Sequence, residues 1–192
     1  MGKPQFVDQK SKAYVEGIDI VLALDVSGSM KFFDDPKDRR SRWEVVQKEA
    51  LRFVKKREND AVGLVIFGQY AITRCPITTD KKVLQEIIGD LYIGSTSQNM
   101  PDGTMLFQGL VAAVRRLQSS EANSKIIVLL TDGAPSQGDI SYEDAMSIAK
   151  QIGVKIYTIG VGGDHGGLYA DPIFGIRSTG GKGMDRKLLT SI

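Results

Sequence analysis

A short segment, Asp25-Val26-Ser27-Gly28-Ser29, puts one carboxylate and two hydroxyls on alternate positions of a tight loop. An extended turn aims all three at one point, and Gly28 lets the backbone bend between them. Two further segments carry the same kind of donor, Thr131-Asp132-Gly133 and Asp102-Gly103-Thr104. Together Asp25, Ser27, Ser29, Thr104 and Asp132 offer two carboxylates and three hydroxyls. An all-oxygen set suits a hard divalent cation, Mg²⁺ first, with Mn²⁺ or Ca²⁺ as alternatives. Mg²⁺ takes octahedral oxygen geometry and keeps waters, which short hydroxyl ligands and outer-sphere carboxylates accommodate.

Other chemistries fare worse. A Mg²⁺-dependent phosphohydrolase of Rossmann-like fold is the rival reading, since such enzymes also place an aspartate after the first strand. The haloacid-dehalogenase type needs a second aspartate two residues on as general acid, where this chain has Ser27. A serine hydrolase lacks its Gly-x-Ser-x-Gly elbow and has a single histidine, His165, to recruit. No Gly-x-x-x-x-Gly-Lys-Ser/Thr loop is present for nucleotide phosphates. Cys75, beside Pro76, reads as a half-buried residue near a sheet edge, with no activating base in view. His165 lies in a glycine-rich stretch and reads as an exposed loop residue.

The donors need a scaffold, and the apolar pattern supplies one. Runs at 18–24, 126–130 and 154–161 are short, rich in Val, Ile and Leu, and read as parallel strands buried on both faces. The run 62–67 is followed by Gly68-Gln69 and then 70–73, which predicts a hairpin on a two-residue type II′ turn, its second strand at a sheet edge. Between strands lie helical stripes: Trp43, Val46, Ala50, Phe53 and Val54; Val83, Leu84, Ile87, Ile88 and Leu91; Leu106, Leu110, Ala113, Val114 and Leu117; Ala145, Ile148, Ala149 and Ile152. Asp80 suits the N-cap of the second, and Gly153 the C-terminal turn of the fourth. The alternation predicts a doubly wound α/β fold, a mostly parallel sheet with one antiparallel edge strand and helices on both faces. In such sheets ligands bind outside the carboxyl ends of the strands, where Asp25 and Asp132 fall.

Composition narrows the partners. The 192 residues carry 25 Lys+Arg against 23 Asp+Glu, a net charge of +2, which gives no electrostatic reason to expect nucleic acid. One cysteine excludes an internal disulfide. No apolar run approaches the roughly 18 residues a membrane span needs, and the N-terminus lacks a signal-peptide core. Residues 31–41 are densely charged with alternating sign and read as a solvated loop, and 94–103 and 164–175 also read as loops.

The Asp25-x-Ser27-x-Ser29, Thr104 and Asp132-Gly133 positions resemble the metal-ion-dependent adhesion site of von Willebrand factor A domains. The likeness runs in order along nearly the whole chain. It implies direct ligation by Ser27 and Ser29, ligation by Thr104 directly or through water, and the same choice for Asp25 and Asp132. It leaves one coordination position to a carboxylate of a binding partner. The segments 16–25, 75–80 and 157–162 are similar to bacterial BatA-type proteins of the aerotolerance-operon class, often encoded beside MoxR-type AAA+ ATPases. Where that class reads Ala-Ile-Gly after the threonine, this chain has Met105-Leu106-Phe107, which places a bulky ring near the rim.

The resemblance implies a noncatalytic protein-binding module whose partner is an acidic residue of another protein, either a related von Willebrand A protein or a MoxR-type system. A metal-free scaffold of the same fold is the remaining option. The expected organisation is a single domain over 1–192, with 1–16 as an N-terminal extension and the final strand and helix of the fold missing. Asp185 would cap the first turns of a helix with Leu188, Leu189 and Ile192 on its apolar face. The parent protein is expected to be membrane-anchored, the domain facing periplasm or cytoplasm. An apolar sheet edge or helix-docking face is expected to lie bare.

Overall fold

The computed structural model describes residues 17–96, 103–133, 135–163, 165–181 and 183–192. The expected extension 1–16, Asp102, Asp164 and part of the 94–103 loop lie outside the described residues. Among the described residues, five strands form one sheet: β1 (Asp19–Asp25), β2 (Ala61–Phe67), β3 (Ala71–Thr78), β4 (Lys125–Thr131) and β5 (Lys155–Gly160). Their spatial order is β3-β2-β1-β4-β5, parallel throughout except for β3, which runs antiparallel to β2. The sheet is the doubly wound one expected. From β1 the chain first builds outward through β2 and β3, then crosses to β4 and β5. The order therefore reverses at β1 and β4, and their carboxyl ends flank the crevice where such folds bind ligands.

Alternation along β1 builds two cores. Ile20, Leu22 and Leu24 face α1 (Arg42–Lys55) and α2 (Lys81–Gly89), together with Trp43, Val46, Ala50, Leu84 and Ile88. Val21 and Ala23 face α3 (Leu106–Leu117) and α4 (Tyr142–Ile152), with Phe67, Leu110, Val114, Leu129 and Ala145. Helix α3 comes close to β2 because residue 109 is glycine: a Cβ there would lie 2.6 Å from Cγ of Phe67. The expected caps are present. Asp80 accepts from the amides of Lys82 and Val83 at the start of α2, and Gly153 closes α4 at a φ of 70°. Asp185 caps α5 (Arg186–Ser191) through the Leu188 amide at 3.0 Å.

Several expectations need correction. The β2–β3 connection is not a two-residue type II′ turn. Phe67 pairs with Ala71, leaving three loop residues, and Gly68 lacks the positive φ that turn requires. β3 also runs on to Thr78, admitting exposed Pro76 because edge strands have a side free of pairing. Cys75, expected half-buried, is only 4% exposed, and burial raises its thiol pKa. The last strand is not buried on both faces. Among the described residues β5 pairs only with β4, and Tyr157 and Ile159 stand 54% and 47% exposed beside Phe53 and Val128. This edge therefore presents an exposed apolar face among the described residues.

Two further corrections concern the rim. The segment 164–175 is largely strand: β6 (Leu168–Asp171) and β7 (Gly175–Ser178) form an antiparallel hairpin with Ile173 and Phe174 exposed at its turn. Phe107 does not reach the rim surface. It is 3% exposed, packed in the α3 core in a T-shaped contact with Tyr142, ring centroids 6.0 Å apart.

Candidate metal centre

The loop after β1 is fixed by the backbone before any side chain acts. Val26 donates its amide to the Phe67 carbonyl at 2.8 Å, and its own carbonyl accepts from Gly94 at 2.8 Å. The chain then turns through a short 3₁₀ segment, Gly28–Lys31, with Met30 fully buried beneath it as an anchor. This turn stacks the two hydroxyls: Ser27 Oγ and Ser29 Oγ lie 3.1 Å apart. Ser29 Oγ donates to Asp132 Oδ1 at 2.9 Å, so the loop after β1 meets the loop after β4. The donated proton leaves the Ser29 oxygen lone pairs available to a cation.

Asp25 closes the group from below. It is 0% exposed, accepting from the Ser27 amide at 2.9 Å on Oδ1 and from Thr131 Oγ1 at 2.6 Å on Oδ2. Burial, reinforced by the charge of Asp132, pushes the Asp25 carboxyl up to about 7, against the hydrogen bonds from Ser27 and Thr131. Among the described residues, no lysine or arginine pairs with it. A buried carboxylate without a cationic partner, under two close hydroxyls and a second carboxylate, fits a hard divalent cation. Among the described residues, no three His, Cys, Asp or Glu side chains gather as a ligand cluster, here or elsewhere, so at this site the hydroxyls would have to supply the remaining donors.

Thr104 reaches the same end of the sheet by another route. Its amide donates to Ser136 Oγ at 2.9 Å, and its carbonyl accepts from the Ser136 amide at 3.0 Å. Next along the chain, Met105 donates its amide to the Gly68 carbonyl at 2.7 Å, holding the segment against the β2–β3 loop beside Ser27. The start of α3 is capped from outside. Asp139 accepts from the Phe107 amide at 2.8 Å and the Gln108 amide at 3.0 Å, giving the helix N-terminus the negative charge it favours. Asp25, Ser27, Ser29 and Asp132 are thus joined in turn by direct hydrogen bonds. Thr104 is buried at 8% exposure and held by Ser136.

Sequence reasoning missed Arg42. It opens α1, is 6% exposed, and donates from Nη1 to Asp132 Oδ2 at 2.7 Å. Its Nε and Nη2 grip the two oxygens of Asp34 at 3.0 and 2.6 Å, and Asp34 Oδ1 also accepts from the Gly163 amide at 3.0 Å. Hydrogen bonding from Arg42 holds the Asp34 carboxyl below its usual value. The charged 31–41 loop is therefore not simply solvated. Phe33 within it is 5% exposed and bridges to Leu168, so only part of the loop, such as the exposed Asp38–Arg40 pair, fits that description.

The profile of the von Willebrand factor type A domain matches residues 19–169. An uncharacterised protein of Borreliella burgdorferi is 37% identical over 147 residues, 76% of this chain. The match takes in only 41% of that relative, so the chain spans less than half of its length. BatB of Bacteroides thetaiotaomicron superimposes with a TM-score of 0.70 at 25% identity, covering 88% of this chain and 79% of that one. An aerotolerance-related membrane protein of Bacteroides fragilis, carrying multiple mutations to serine, gives 0.72 at 24% identity over 90% and 84% of the two chains. The resemblance to the aerotolerance class thus extends from short segments to the fold. With the profile running from the first residue of β1 into β6, the chain belongs to the von Willebrand factor type A domain family.

Proposed function

We propose that this chain is a noncatalytic, divalent-cation-dependent protein-binding module. Asp25, Ser27, Ser29, Thr104 and Asp132 would hold Mg²⁺, or Mn²⁺ or Ca²⁺ in its place. The observation that carries the reading is the junction of Ser27, Ser29 and Asp132, at 3.1 and 2.9 Å, above a fully buried Asp25 that has no ion-pair partner among the described residues. The cation supplies a centre of positive charge that neutral hydroxyls leave largely unquenched. An acidic side chain of a partner protein then completes the site. The β6–β7 hairpin, docked on the 31–41 loop through Phe33, would help to shape the partner-facing rim.

In this reading residues 17–192 act as one domain of a larger, membrane-anchored bacterial protein, facing periplasm or cytoplasm. The likeness to an aerotolerance-related membrane protein supports the anchoring. No helix among the described residues is itself long and apolar enough to cross a membrane. A related von Willebrand A protein or a MoxR-type ATPase would be the partner. The test is a pull-down from source membranes in Mg²⁺ or EDTA, comparing wild type with Asp132→Ala. Retention that needs both Mg²⁺ and Asp132 supports the module. Phosphatase or nucleotidase turnover that vanishes in Asp25→Ala would instead establish the rival phosphohydrolase.

A further inference from the structure

Arg42 is the one cation in direct contact with the proposed ligands among the described residues, and it is built in rather than adventitious. Its side chain is 7% exposed, its partner Asp132 only 1%, and every guanidinium nitrogen is engaged by a carboxylate. Between them Arg42 and Ser29 occupy both oxygens of Asp132. Asp132 therefore meets any cation already committed on each side. The packing leaves the guanidinium little room to withdraw: a Cβ at Gly162 would lie 3.1 Å from its Cζ, and one at Gly167 would lie 3.1 Å from Nη2.

We infer that Arg42 is a positioning residue that neutralises Asp132 and so limits how tightly the site holds its cation. The inference rests on the metal reading of the site and goes beyond it, because it assigns the control of affinity to a residue outside the ligand set. Counting nearby charges shows the consequence. Asp25, Asp132 and the shared Asp34 together bring −3, and Arg42 returns +1. A divalent cation then leaves the assembly neutral and open to a partner's carboxylate, whereas without Arg42 the same assembly would carry −1 and repel it. Asp34 shares the same guanidinium in the opposite sense. Its two bonds draw Arg42 toward the 31–41 loop and Gly163, and lessen its claim on Asp132.

Calorimetric titration of Mn²⁺ into the 192-residue protein, with the metal-free melting temperature recorded alongside, tests this. Arg42→Gln should bind Mn²⁺ about tenfold more tightly than wild type, because Asp132 keeps its full charge for the cation. The same variant should melt lower when metal-free, since a buried carboxylate has lost its partner. Arg42→Lys, which restores the charge, should return the affinity to within about threefold of wild type. A merely structural arginine would give the opposite sign, weaker binding in Arg42→Gln. Unchanged or weaker binding there, with wild type binding normally, overturns this inference and leaves the metal site standing. A wild type that binds no Mn²⁺ overturns the metal reading, and this inference with it. If Arg42→Gln does not fold by circular dichroism, the partly exposed Asp34→Asn carries the test. It should weaken Mn²⁺ binding about threefold by releasing Arg42 to Asp132, and unchanged or tighter binding overturns the inference.

Discussion

Ser29 donates its hydroxyl proton to Asp132 across 2.9 Å, though the two residues stand 103 positions apart in the chain. The contact exists because β1 and β4 are neighbours in the sheet, paired Ile20 to Ile126 through Leu24 to Leu130, and end level with one another. Each strand then delivers its polar loop to the same crevice. The β1 loop brings two hydroxyls and the β4 loop a carboxylate, so the site joins a local motif after β1 to a residue that sheet order brings beside it.

A buried carboxylate with no cationic partner should weaken the metal-free fold. Asp25→Asn keeps the acceptor for the Ser27 amide and removes the charge. In EDTA at neutral pH, chemical denaturation should show this variant more stable than wild type by about 1 kcal/mol. Adding Mg²⁺ should then stabilise wild type and leave Asp25→Asn unchanged. A less stable Asp25→Asn in EDTA would mean that the carboxylate is compensated by something its hydrogen bonds do not reveal.

The start of α3 depends on a residue of another loop. Asp139→Ala removes the acceptor for two helix-terminal amides, which should lower unfolding free energy by about 1–2 kcal/mol. Backbone amide exchange should quicken at Phe107 and Gln108 in particular. Equal protection at those two amides would refute the capping role.

Much of this architecture could be read from the chain. The strand ends that carry Asp25 and Asp132, the N-caps Asp80 and Asp185, and the α4 stop at Gly153 all follow from local pattern. Periodicity and capping chemistry act over a few residues, and those signals sit in the sequence itself. What was not legible is long-range. Nothing near Arg42 announces that its fork spans Asp34 and Asp132, 8 and 90 positions away. Thr131 offers the same lesson, since its bond to Asp25 depends on β4 lying against β1. The β6–β7 hairpin escaped because its glycines and polar residues read as loop, while its pairing is set by docking of Leu168 on Phe33.

The exposed face of β5 should make the domain adhesive. Tyr157 and Ile159 stand beside Phe53 and Val128 on a strand whose outer edge has no sheet partner among the described residues. Unpaired edges and bare apolar patches promote association. The double variant Tyr157→Lys/Ile159→Glu should reduce self-association seen by light scattering at high concentration, with the melting temperature shifted by only a few degrees. Identical scattering from both proteins would show that this face is not the adhesive one.

The central claim is that the hydroxyl pair on the β1 loop holds a cation. Calorimetric titration of Mg²⁺ and Mn²⁺ into wild type and into Ser27→Ala/Ser29→Ala measures it directly. A single saturable site is expected in wild type and its loss in the double variant, which should remain folded because each change removes only one hydroxyl. Equal binding by the two proteins would contradict it.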